Sequence, residues 1–177
     1  MTSTPLTNPV PVSPSDHIDW TRFNLKRSTS PLLIPPDAFC MRLTIDETHL
    51  GTVIPHVSNI EFVRWLEVLA IAHAESLGFD DRWYRQHNLI WFVARHEINY
   101  LAELLLDDHI IMATWINEIS KCRADRRYAI ACENKNRIAL IARTDWVLVT
   151  RDKHKPTRAI PEMITRFRPA ETPDNSG

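Results

Sequence analysis

Read for the spacing of its apolar positions, the chain divides into a proline-rich head, one strand, one long helix and a second half made of strands. Phe39, Met41, Leu43 and Ile45 alternate with Cys40, Arg42 and Thr44, the period of a half-buried strand. The folded part is therefore expected to begin at Ala38. Residues 46–57 carry no period and read as a loop. Ser58 stands where a helix N-cap belongs, with Glu61 at the spacing of a capping box. Ile60, Val63, Leu66, Leu69, Ala70, Ala74 and Leu77 follow at helical spacing, and Gly78 supplies a C-terminal stop. At ~100° per residue, Glu61, Arg64 and Glu75 share an arc of roughly 60°. Glu67 lies off that arc and His73 nearly opposite it. A helix so apolar, with one narrow polar strip, is expected to be mostly buried.

Beyond the helix, residues 88–100, 109–121, 126–133 and 137–151 are rich in Ile, Val, Trp, Tyr and Thr. Turn formers at 107–108, 123–125 and 134–136 separate them, so four long strands pairing consecutively and antiparallel are expected. Residues 101–106 fit either a helical turn or a bulge. One strand, a long helix and four strands make an α+β domain, a curved antiparallel five-stranded sheet wrapped around one long central helix. Order alone leaves both a hotdog and a cystatin-like fold open.

Composition narrows the class. A chain of 177 residues suits one domain with tails, and 44% apolar residues suffice for a core. The expected division is a Pro-rich extension at 1–37, a domain at 38–168 and a tail at 169–177. Residues 1–16 read as a mobile tail, His17-Ile18-Asp19-Trp20 as the start of a turn, and Leu32-Leu33-Ile34 as a segment packed on the domain. A net charge of −1 gives no global field toward nucleic acid or a membrane. No apolar run reaches the ~18 residues of a membrane span, and the N-terminus lacks signal-peptide character. Cys40, Cys122 and Cys132 match no zinc spacing and suit reduced thiols in a cytoplasmic protein. With only three glycines in the chain, Gly51 and Gly78 are expected where the backbone needs a special conformation.

The helix entrance reads Glu47-Thr48-His49-Leu50-Gly51-Thr52-Val53-Ile54-Pro55-His56-Val57-Ser58-Asn59 and continues Ile60-Glu61-Phe62-Val63-Arg64-Trp65-Leu66-Glu67. It resembles the 4-hydroxybenzoyl-CoA thioesterase family, in which "G-H-V-N-N" leads into an aromatic residue and "R-W-L-E". Here His56-Val57-Ser58-Asn59, Phe62 and Arg64-Trp65-Leu66-Glu67 carry the likeness. Downstream, the strand ending at Tyr100 with Asp107-Asp108-His109-Ile110 is similar to the family's "strand–Y–spacer–G-D-x-I". Asp152-Lys153-His154-Lys155-Pro156-Thr157-Arg158-Ala159-Ile160-Pro161 resembles its "d-x-x-t-g-k-p-x-x-i-P". The resemblance spans residues 38–168 and selects the hotdog fold. It implies hydrolysis of an acyl thioester on coenzyme A or an acyl carrier protein. It also implies a homodimer or homotetramer with sites at a subunit boundary, and no cofactor beyond the coenzyme A or phosphopantetheine that the substrate carries.

The pattern departs from the family at its catalytic aspartate, where one alignment places His49 and the other Thr52. The branch serving enediyne polyketide synthases, "E-T-N-L-x-G-x-V", is the nearest match and also lacks the acid. His49 is the leading candidate for activating water, since an imidazole titrates near neutrality, with Glu47 or Thr48 to orient it. His56 is a second candidate or a loop cap. Glu67 is a third candidate or a structural carboxylate. The resemblance places the thioester carbonyl at the helix start, so the N–H groups near His56 and Val57, beside Asn59, are the expected polarising donors. Arg123, Arg126 and Arg127, with Lys121, gather about a turn and suit the phosphates of coenzyme A or an acidic carrier protein. His73 fits a hydrogen-bonded core histidine. Arg95, Glu97 and Asn99 fit a solvated strand face. A dehydratase acting on a hydroxyacyl thioester, with His56 and Glu61 or Glu67 as its pair, and a non-catalytic acyl- or partner-binding protein stay open. The dehydratase loop "H-x-x-x-x-P-x-x-P-G" is absent from the sequence.

Overall fold

The computed structural model describes residues 8–13, 15–23 and 34–168. Among them run six strands: β1 (Val10–Pro11), β2 (Phe39–Thr44), β3 (Leu89–Tyr100), β4 (His109–Ser120), β5 (Arg123–Cys132) and β6 (Arg137–Thr150). Three helices accompany them: α1 (Asn59–Ser76), α2 (Asp81–Gln86) and α3 (Pro161–Phe167). The strands form one antiparallel sheet in the order β1-β2-β4-β5-β6-β3.

Three sequence expectations change. The sheet has six strands instead of five, because Val10 and Pro11, inside the predicted tail, pair with Arg42 and Met41. Residues 123–125 belong to β5, since the turn is made by Lys121, at φ 55°, and Cys122. And β3 pairs with β6 instead of its neighbour in sequence, β4. Residues 101–108 carry the chain across the sheet. Leu101 and Ala102 donate to Ala139 O, Leu104 is fully buried, and Asp107 turns the chain at φ 63°. The buried Asp108 carboxylate holds this crossing. It accepts from Leu105 N at 2.9 Å and lies 2.6 Å from Lys135 Nζ on the β5–β6 turn.

The inner face of the sheet buries α1. Phe62, Trp65, Leu66 and Leu69 pack against Met41, Leu43, Ile110, Met112, Tyr128 and Leu140. The alternation read in β2 is realised: Met41 and Leu43 face the helix, Arg42 and Thr44 face out. A second cluster joins the far end of α1 to α2 and α3 through Ala74, Phe79, Leu148, Met163 and Phe167. On the outer face Ile111, Ala113, Ala129 and Ala131 are covered by Phe23, Ile18, Trp20 and Ile34. Residues 17–20 lead into a 3-10 turn at Trp20–Arg22, and Ile34 packs as expected; Leu32 and Leu33 lie outside the described residues, as does 169–177. The three cysteines are free, Cys40 and Cys132 being buried. No helix among the described residues is long and apolar enough to cross a membrane.

Ser58 caps α1 through Glu61 N, but the box is half made. The Glu61 carboxylate turns to Arg64 instead, and Ser58 N donates to His49 O. Gly78, at φ 84°, closes the helix as expected, whereas Gly51 is required by the nearby carbonyls of Ile54 and His56. Of the predicted strip, Glu75 is exposed but Glu61 and Arg64 are half-buried, so the exposed face of α1 is shifted. It centres on Ile60, Val63, Glu67 and Ile71, of which Ile60 is 78% and Ile71 50% exposed.

Burial alone would raise the Asp108 carboxyl, but Lys135 and the Leu105 N–H outweigh it and hold the group below its ordinary 3.8. Its stabilising effect is therefore complete above that value and is lost as pH falls through the folded one. Asp108→Asn is expected to cost about 2 kcal/mol near neutrality and to flatten the acid limb of stability in urea titrations at stepped pH. An unchanged acid limb would remove Asp108 from this role.

Candidate functional site

The loop before α1 is built around His49, whose Nε2 is buried without a hydrogen-bond partner among the described residues. Its ring is completely buried against Trp65, with centroids 5.6 Å apart. Nδ1 lies 3.1 Å from Asp46 N and 2.9 Å from Asp46 Oδ1, closing a capping box on the 3-10 turn Glu47–His49. Asp46 orients the ring, where Glu47 or Thr48 had been expected to. Thr48 bonds to Asp46, and Glu47 is exposed. Nothing in the apolar period of the sequence marks His49 as interior.

The expected polarising donors are also engaged. His56 N donates to Ile54 O at 2.8 Å and Val57 N to Leu104 O at 2.9 Å. Val57 is buried in the core, and His56 O receives Gly51 N–H. The amides that meet no acceptor among the described residues are those of Asn59 and Ile60, one step further into the helix.

Arg123, Arg126 and Arg127 do not form one patch. Alternation along β5 sends Arg123 and Arg127 outward and Arg126 inward. Arg127 joins Asp125, Arg143 and Asp145 in an outer-face ion network. Arg126 is buried under α1, where Nη1 lies 3.0 Å from His73 Nδ1 and donates to Thr114 Oγ1 at 3.2 Å. Burial, and then the Arg126 charge, push His73 down to about 3, so the ring is neutral and accepts. His73 is thus the hydrogen-bonded core histidine expected of it. Arg95 pairs with Glu97 on the exposed face of β3, as their shared face suggested.

Glu67 does face something. It is exposed on α1 and lines a cavity of about 310 Å³ with Ala70, Ala74, Phe79, Trp91 and Trp146. The strand β3 is irregular between Val93 and Arg95, and beyond that point His96, Ile98 and Tyr100 turn toward α1. His96 Nδ1 lies 2.8 Å from Thr144 Oγ1. Desolvation lowers its pKa, while the Glu67 charge acts the other way. His96 was missed in the sequence. Its signal was available, since a residue between Arg95 and Glu97 must face opposite to them. A polar row thus crosses the inner face, from Thr114 through Arg126 and Thr144 to His96, with His73 and Glu67 above it on α1. Among the described residues there is no group of three His, Cys, Asp or Glu that could hold a metal.

A long helix laid across one face of an antiparallel sheet is the hotdog arrangement. The sequence pattern of the acyl-ACP thioesterase N-terminal domain matches residues 54–167, and the chain belongs to that family. No curated protein sequence matches the chain. Among solved structures, DHNA-CoA thioesterase from Staphylococcus aureus is similar over 72% of this chain and 87% of its own, at 19% identity and TM-score 0.64. A Staphylococcus aureus protein solved in complex with CoA is similar over 81% and 92%, at 14% identity and TM-score 0.69. An acyl-ACP thioesterase from Bacteroides thetaiotaomicron is similar over 75% of this chain and 54% of that one, at 17% identity and TM-score 0.67. These likenesses establish the hotdog fold.

His49→Leu is expected to lower stability by about 2 kcal/mol, because it removes the hydrogen bond to the Asp46 turn inside the core. Specific activity per folded molecule should stay within about threefold of the parent, a small effect beside loss of a general base. A stable variant without activity would return His49 to the chemistry.

Proposed function

We propose that the protein hydrolyses an acyl thioester to the free acid on the open face of α1, with Glu67 activating water. The observation that carries this reading is an exposed carboxylate at the mouth of an apolar cavity. The acyl group fills the cavity and the thioester stops at Glu67. The carboxylate takes a proton from water as the water oxygen attacks the carbonyl carbon. The C–S bond then breaks and the thiol leaves with a proton.

The oxyanion needs donors that one protomer does not provide at that point. Asn59 and Glu67 are eight residues apart on one helix, about 12 Å at 1.5 Å per residue, so the free amides of Asn59 and Ile60 are out of reach of a thioester at Glu67. A homodimer supplies them from the other copy's helix start. Twelve-residue β3 supports this assembly: it bonds to β6 along one edge and leaves Phe92, Val93 and Tyr100 exposed at 42–44%. A long apolar edge of this kind calls for a partner strand.

Within the family, the motifs from His56 to Glu67 and from Asp152 to Pro161 support a place beside the 4-hydroxybenzoyl-CoA and enediyne polyketide branches. The carrier is coenzyme A or an acyl carrier protein, which share the phosphopantetheine arm. Arg123, exposed beside Lys121 at the β4–β5 turn, is the member of the predicted basic cluster still free to meet a phosphate or an acidic carrier.

Thiol release from short, long and aromatic acyl-CoAs and from one acyl-loaded carrier protein tests the reaction. Glu67→Gln is expected to reduce kcat by about a hundredfold or more with a small change in KM, in a protein that light scattering shows to be dimeric. Silence of the parent on every thioester, or full activity of the variant, would contradict the reading.

A further inference from the structure

The cavity under α1 is apolar along most of its wall, yet Arg126 stands in that wall. It is 4% exposed. A buried guanidinium is ordinarily matched by a carboxylate, because an unpaired charge in an apolar interior is costly. No acidic side chain forms an ion pair with Arg126 among the described residues. Its neighbours are neutral: His73, Thr114, Tyr84, Tyr128 and the ring of Phe167, 5.8 Å from the guanidinium carbon. Of its five N–H donors, the Nη1 pair is committed to His73 and Thr114; Nε and Nη2 meet no acceptor among the described residues. Trp146, in the same wall, buries an indole N–H that also lacks a partner. Of the charged residues that line the cavity, Glu67, Glu75 and Asp81 are exposed and Arg151 is half-buried; Arg126 alone is buried, with its Nε and Nη2 donors uncommitted among the described residues.

We infer that Arg126 is a specificity-determining residue which receives a carboxylate at the far end of the acyl group, so that the preferred substrate is an ω-carboxyacyl thioester. Apolar walls suit the methylene segment, and Nε with Nη2 forms the planar fork that binds a carboxylate through two bonds. A plain alkyl chain of equal length would leave the charge desolvated and unpaired, whereas the dicarboxylic chain completes it. The neutral His73 ring holds the guanidinium in position without neutralising it. The inference rests on the thioesterase reading for its scissile end only; the anion site stands or falls separately.

The test compares glutaryl-, adipoyl- and suberoyl-CoA with pentanoyl-, hexanoyl- and octanoyl-CoA, for the parent and for Arg126→Met. The expected result is a kcat/KM at least about tenfold higher for the best ω-carboxyacyl thioester than for its alkyl counterpart, with the preference lost in the variant while alkyl turnover persists. Calorimetric titration of the parent and the variant with adipate and with the neutral hexan-1-ol provides a readout independent of turnover. If no thioester is hydrolysed but adipate binds to the parent and not to Arg126→Met, the thioesterase reading fails and the anion site holds. Turnover with no preference for the carboxylate, or equal binding of adipate and hexan-1-ol, overturns the inference. Should Arg126→Met fail to fold, the parent's substrate ratio and its two titrations decide the matter.

Discussion

The packing of Trp65, Leu66 and Leu69 into the concave face of the sheet fixes the position of every other element. All three side chains are fully buried, and burial of each contributes about 1.5–3 kcal/mol. Because they share one side of α1, the opposite side must face outward, and with it Ile60, Val63, Glu67 and Ile71. A soluble helix does not ordinarily present three branched aliphatic side chains to water in a row. The same geometry leaves Glu67 exposed at the rim of the cavity between the far half of α1 and strands β3–β6.

The crossing of residues 101–108 is the second constraint. It carries the chain from the sheet's β3 edge past β6 and β5, so that β3 becomes an edge strand and His96 comes under α1. Leu104, which accepts Val57 N–H, pins that crossing at its middle, and Asp108, which meets Lys135, at its end. The loop before α1 is thereby committed to structure: His49, Val57 and the backbone of His56 all serve it.

The parts of this fold governed by local rules were legible in the sequence. Ser58 as N-cap, Gly78 as stop and the alternation of β2 depend on neighbours a few residues away. The sheet order was not legible, because Asp107 and Asp108 look the same whether the next strand pairs beside the last or on the far side of the sheet. The basic cluster was misread for a different reason. Arg126 and Arg127 are adjacent in sequence, but period 2 separates them by the thickness of the sheet, and this could have been read directly. The same rule would have placed His96 on the sheet face that α1 covers, opposite Arg95 and Glu97. His49 had no such signal, since a histidine in an aperiodic loop reveals neither its burial nor its partner Asp46. Glu67 was legible as a carboxylate off the polar strip, but not as one facing a cavity, because the cavity is walled by strands far away in the chain.

The central claim is that the acyl group lies under the far half of α1 with its thioester at Glu67. A crystal structure with a non-hydrolysable acyl-CoA, in which a methylene replaces the thioester sulfur, tests it most directly. The account predicts the ketone carbonyl beside Glu67 and His96, with the chain running among Ala70, Ala74, Phe79, Trp91 and Trp146. An acyl chain resting instead in the loop around His49 and His56, with the cavity empty, would contradict it.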